Sequence, residues 1–191
     1  MTPQYGGSAT LPQLAGDLAA LVAAVREAVV GASAPAQAAD RVAERLRPFL
    51  TRPGLLAEPQ CEGDPAGYRQ HVLHTEPDGS FSVVALVWLP GQETPVHDHV
   101  SWCVTGVHEG EETEHRYRVV GGDGGERLLA TEVIVNSAGE VGGFAPPGDI
   151  HLVRNSGSTR AISLHVYGAD VGRLGSSIRR VYPQPRVSAQ S

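Results

Sequence analysis

An all-β barrel or sandwich with two helices packed outside it is the fold class this 191-residue sequence predicts. Three observations carry it. Apolar residues near the start recur at helical spacing, short β-branched runs bounded by turn residues fill the chain beyond Pro59, and those runs follow one another at regular intervals.

The first helix spans residues 11–30, where Leu14, Leu18, Leu21, Val22, Val25 and Val29 fall three or four apart and Gly31 ends the pattern. A second follows Ser33-Ala34-Pro35, with Ser33 as N-cap and Pro35 in the first turn; Val42, Leu46, Phe49 and Leu50 supply its apolar face. Strands are expected over 68–74, 81–88, 102–108, 114–120, 127–135, 151–155 and 161–167. Between them stand Pro77-Asp78-Gly79, Leu89-Pro90-Gly91 and a glycine-rich hairpin tip at 121–125. The organisation is one domain: a helical segment at 1–58, a barrel at 59–182 and a loose tail at 183–191.

Hydrophobic types make up 41% of the chain, enough for a single core. The net charge is -6 and the 15 basic residues, all Arg, are scattered, which argues against a nucleic-acid partner, and a small molecule is expected. Residues 1–10 lack a signal-peptide pattern, and no run approaches the ~20 apolar residues of a membrane span. A cytoplasmic protein, monomer or homodimer, is expected, and a reducing cytosol disfavours a Cys61–Cys103 disulfide.

The chemistry concentrates in two stretches. Gly91 is followed after five residues by His97-Asp98-His99, then by Cys103 and Gly110. Histidines at i and i+2 on a strand point to one side, so one strand offers two imidazoles to one ion. Further on, Pro146-Pro147-Gly148-Asp149-Ile150-His151 places a turn before a strand that carries a third imidazole, and Asn155 follows. These stretches resemble the two motifs of the cupins, which implies a double-stranded β-helix, or jelly-roll, barrel with His97, His99 and His151 as metal ligands. Two departures stand out: Cys103 occupies the place of the metal-binding Glu of most cupins, and one extra residue precedes Pro146.

Three neutral imidazoles without a carboxylate leave a divalent ion its full charge and about half its coordination sphere open, which favours an anionic ligand. Such a ligand set accepts Ni, Cu or Zn as well, yet a thiolate together with O₂ calls for a redox-active ion, and one Fe(II) per chain is expected.

Ser163, His165 and Tyr167 alternate along one strand and so emerge on one face. That row, following the second motif, resembles the thiol dioxygenases of the cysteine dioxygenase and 3-mercaptopropionate dioxygenase group over about residues 67–182. The resemblance implies that Tyr167 reaches the iron pocket and that His165 and Ser163 orient it. It also places Cys103 where animal-type cysteine dioxygenase carries the Cys that cross-links to the Tyr; here either a Cys103–Tyr167 thioether or a small buried residue is expected.

Where cysteine dioxygenase clamps the substrate carboxylate with an Arg two residues after a strand-start Tyr, Tyr68-Arg69-Gln70 puts Gln70. A neutral amide cannot form the bidentate ion pair of a guanidinium, so this pocket resembles the mercaptopropionate branch. The segment after Tyr167 is longer than in that branch, and Arg173 or Arg179 is expected to help hold the substrate. The expected function is conversion of a small thiol and O₂ to the sulfinic acid, with a 3-mercaptopropionate-like thiol as substrate. Alternatives are a bulkier thiol such as ergothioneine, cysteine itself, or a ligand-sensing cupin without turnover. A metal-dependent isomerase or carbon-cleaving cupin dioxygenase is disfavoured by the missing Glu. Asp98 and Asp149 are read as structural, Trp88 and Trp102 as core or pocket wall. His71, His74, His108 and His115 receive no chemistry.

Overall fold

The computed structural model describes residues 16–121 and 125–183. Helices α1 (Gly16–Val30) and α2 (Pro35–Leu46) come first, then β1 (Arg69–Thr75), β2 (Ser82–Trp88), β3 (Val96–His99), β4 (Cys103–Glu109), β5 (Glu111–Val120), β6 (Arg127–Ser137), β7 (Val141–Phe144), β8 (His151–Arg154), β9 (Ala161–Tyr167), the short α3 (Val171–Leu174) and β10 (Ile178–Tyr182). Two five-stranded sheets form, ordered β1-β2-β9-β4-β7 and β10-β3-β8-β5-β6.

Strands β2 and β9 are buried along their whole length, because the pleat sends alternate side chains to two different cores. Val83, Ala85 and Val87 join Ile162, Leu164 and Val166 on the outer face, where Leu18, Leu21, Val22, Val25, Val42 and Leu46 of the helices cover them. Val84, Leu86, Trp88 and Tyr167 turn into the barrel with Cys103 of β4. The helices therefore close the back of the sheet whose front lines the interior. Gly106 permits the close approach of α2 and its C-terminal extension, since a Cβ there would stand 2.8 Å from Leu50.

Several expectations shift. Ser33 is not the N-cap of α2: Ala34 holds that place without a side-chain bond, and the Ser33 N–H donates to Gln37 Oε1 at 2.6 Å. Strand β7 was not anticipated, being short and half glycine, and the segment after Tyr167 contains α3 and β10 instead of a plain loop. Leu14, the hairpin tip at 122–124 and the tail from 184 lie outside the described residues. No described helix is long and apolar enough to cross a membrane.

Candidate metal centre

His97 and His99 leave β3 on the same face, and His97 is the register partner of His151 on β8. The turn before β8 places the third ring: Gly148, at φ +106°, reverses the chain after Pro146-Pro147 in a conformation other residues rarely adopt. One ligand atom from each imidazole lies within 4.8 Å of the others, and all three rings are buried.

The outward-facing nitrogens fix the tautomers. His97 Nδ1 lies 2.9 Å from the Pro95 carbonyl, which can only accept, so Nδ1 carries the proton. His99 Nδ1 donates to Asp149 at 3.1 Å, and the His99 backbone N–H donates to the same oxygen at 2.9 Å. His151 Nδ1 donates to Glu114 at 2.7 Å, and Arg116 holds the other oxygen of that carboxylate at 2.9 Å. Burial alone would raise both carboxyls, but these hydrogen bonds win, leaving Asp149 below its ordinary value and Glu114 at about 2. Both are ionised acceptors at neutral pH.

With Nδ1 protonated on each ring, every Nε2 presents a lone pair. His97 Nε2 and His99 Nε2 stand 3.2 Å apart, a separation at which two lone pairs repel unless a cation lies between them. Burial, reinforced by neighbouring imidazoles, pushes His97 well below its ordinary pKa and also lowers His99, so the free bases are the stable forms. Neutral nitrogen donors, converging and oriented from behind by carboxylates, are what a transition-metal ion requires. The donor set fits the metal.

Across the interior, β9 supplies the expected row as a continuous hydrogen-bonded chain. The Tyr167 hydroxyl lies 3.2 Å from His165 Nδ1, His165 Nε2 lies 3.0 Å from Ser163 Oγ, and Trp88 Nε1 donates to Ser163 Oγ at 3.1 Å. Full burial, with the imidazoles of His151 and His99 nearby, drops His165 to about 3, so it stays neutral. Tyr167 sits 6.0 Å, ring to ring, from His99. Cys103 is its register partner on β4, wholly buried, and burial raises that thiol well above its ordinary range.

A pocket opens beside the three histidines, walled by Leu86, Val153 and Ile178 and bordered by His165 and Tyr167. Tyr68 and Gln70 line it, with Tyr68 stacked on Trp88 at 4.7 Å. Arg173 and Arg179 do not line it. Arg173 is exposed on α3, and the guanidinium of Arg179 bonds Asp98, which also accepts from the Tyr182 hydroxyl at 2.8 Å. The same segment instead contributes Ser176 and Ser177, and no guanidinium is among the lining groups from described residues.

Three groups were not anticipated in a functional role. Asp149 orients His99, Glu114 orients His151, and Glu112, two residues before Glu114, lies buried on the same face of β5. Acidic residues alternating on a strand, where such residues are disfavoured, are the signal that would have found the glutamates. Asn155, the last residue of the second motif, donates to the carbonyls of Trp88 and Thr159 and ties loops together.

Two antiparallel sheets enclosing three converging imidazoles define a cupin with a site compatible with a metal ion. The family model for cysteine dioxygenase type I matches residues 14–173, and the chain belongs to that family. Among solved structures it is similar to TT1209 from Thermus thermophilus, at 24% identity over 59% of this chain and 92% of that one, with a TM-score of 0.44. It is also similar to a conserved protein with a double-stranded beta-helix domain from Klebsiella pneumoniae, at 24% identity over 59% and 86%, TM-score 0.46. A recombinant oxalate oxidase in complex with glycolate matches at 23% identity over 61% of this chain and 60% of that one, TM-score 0.43.

Proposed function

We propose that this chain is an Fe(II)-dependent thiol dioxygenase that converts a small thiol, of the 3-mercaptopropionate type, to its sulfinic acid with O₂. The single observation that carries the reading is the pairing of three Nε2 lone pairs with a Tyr167–His165–Ser163 chain facing them across one pocket. Iron, when bound, supplies the redox chemistry that joins the thiol sulfur to both atoms of O₂.

The protein's own groups do the rest. Pro95, Asp149 and Glu114 hold the rings in the metal-binding tautomer. Tyr167 brings a hydroxyl to the pocket to hydrogen-bond the reacting groups, and its chain fixes where that hydroxyl points. Gln70 offers an amide to the acid end of the substrate, while Leu86, Val153 and Ile178 keep water from the sulfur.

A second reading keeps the reaction and changes the thiol to ergothioneine or cysteine. It is favoured by Ser176 and Ser177, which the extended segment after Tyr167 brings to the pocket as further polar contacts. Action in the cytoplasm on a diffusible thiol, without nucleic acid or membrane, completes the proposal. Iron-loaded protein offered 3-mercaptopropionate, cysteine, cysteamine and ergothioneine should consume O₂ and yield a product gaining two oxygen atoms, fastest with 3-mercaptopropionate. Oxygen uptake that no thiol raises would leave the ligand-sensing alternative in its place.

A further inference from the structure

Glu112 is 3% exposed, and its Oε1 has no hydrogen-bond partner among the described residues. Such a group is costly to bury, and native proteins retain few of them. Its carboxyl interacts with the Ser163 hydroxyl and the Trp88 indole, at the end of the Tyr167–His165–Ser163 chain that lies deepest from the pocket. The charged or titratable neighbours are Glu114 on the same strand and His165 beyond Ser163; β2 presents Trp88, and Asn136 of β6 is its register partner.

Two arrangements of donors satisfy the chain from Glu112 to His165. With Glu112 ionised, Ser163 donates to it, Ser163 Oγ accepts from Trp88 and from His165 Nε2–H, and His165 Nδ1 accepts the Tyr167 proton, so Tyr167 turns a lone pair to the pocket. With Glu112 protonated, Ser163 accepts from Trp88 and Glu112 and donates to His165 Nε2; His165 Nδ1–H then donates to Tyr167, whose own proton faces the pocket. Both satisfy Ser163 and keep His165 neutral. They differ by one proton: Tyr167 gains one from the pocket, passes its own to His165 Nδ1, His165 Nε2 yields one to Ser163, and Ser163 yields one to Glu112.

We propose that Glu112 is a positioning residue of this centre: through Ser163 and His165 it sets whether Tyr167 donates to the pocket or accepts from it, and it stores the proton that separates the two states. A thiol entering the pocket meets a Tyr167 able to accept its proton while Glu112 is ionised, and one able to donate once Glu112 holds that proton. Burial raises the Glu112 carboxyl to about 7, with Glu114 adding to the effect, so both forms exist near neutral pH. The mechanistic use of the switch rests on the thiol dioxygenase reading, whereas the polarity of the chain does not.

The test reads the chain and not turnover. Protein loaded with diamagnetic Zn(II) is titrated from about pH 5 to about pH 9 while ¹⁵N NMR follows the His165 tautomer. The proton should sit on Nδ1 at the acid end and on Nε2 at the basic end, with the change near pH 7. E112Q should abolish the change. If E112Q does not fold, S163A, which keeps the carboxyl and cuts the connection, should abolish it too. A tautomer constant across the range in wild-type protein, or a change that survives in both variants, overturns the proposal. Absent oxygen uptake, by contrast, would overturn only the assigned reaction.

Discussion

Cys103 and Tyr167 face one another as register partners across β4 and β9, and both turn into the same buried interior cluster. Paired positions on adjacent antiparallel strands bring Cβ atoms to about 4.5–5.5 Å, within reach of a bond between the sulfur and the ring. Iron-loaded protein exposed to thiol and O₂ should therefore lose two hydrogens in intact mass, and C103A should not. An unchanged mass in turning-over wild-type protein would mean that Cys103 serves only as a small buried residue.

Removing the Tyr167 hydroxyl separates a reacting site from a binding site. Y167F keeps the ring that packs near His99, so iron content should match wild type, while kcat falls on the order of a hundredfold. A loss confined to KM would instead identify a group that only holds the ligand.

Behind the imidazoles, D149N and E114Q test orientation. Each removes an ionised acceptor from a ring N–H, and each should weaken metal binding about 10–100-fold, measured by competition with a chelator. Affinity equal to wild type in both variants would show that the rings are held by packing alone.

Glu112 should imprint itself on stability. Its carboxyl rises from 4.5 to about 7 on folding because burial disfavours the charge. Below 4.5 both states carry the proton and the contribution is fully present; as pH rises to 7 the unfolded chain has released its proton and the folded one has not. Stability should decline across that window by up to about 3 kcal/mol. Urea denaturation at about pH 5 and about pH 8 should show the decline in wild type and less of it in E112Q; equal slopes would remove Glu112 as the cause.

The three converging imidazoles were legible because local rules place them: alternation on β3 sets His97 beside His99, and a proline-glycine turn sets His151. The Ser163, His165 and Tyr167 row was legible for the same reason. The partners of Glu114, Asp149 and Glu112 were not: those of Glu114 and Asp149 lie on neighbouring strands that only sheet register sets alongside, and that of Glu112 lies across the interior on the other sheet. The arginines were misplaced by a similar gap. The family resemblance put Arg179 near the pocket, but its segment pairs with β3 as β10 and turns the guanidinium toward Asp98. Strand β7 escaped notice because Gly142 and Gly143 carry no side chain to show alternation.

Strands β2 and β9 are core on both faces, and that constrains how this protein can diversify. A change of side-chain volume in the wall that carries His165 and Tyr167 disturbs the seat of a helix or the packing of the interior, so that wall tolerates only near-isosteric exchange. Pocket-lining positions outside that doubly packed wall lie on β1 and the stretch between Tyr167 and β10, at Gln70, Ser176 and Ser177, so there the lining can vary without disturbing β2 and β9.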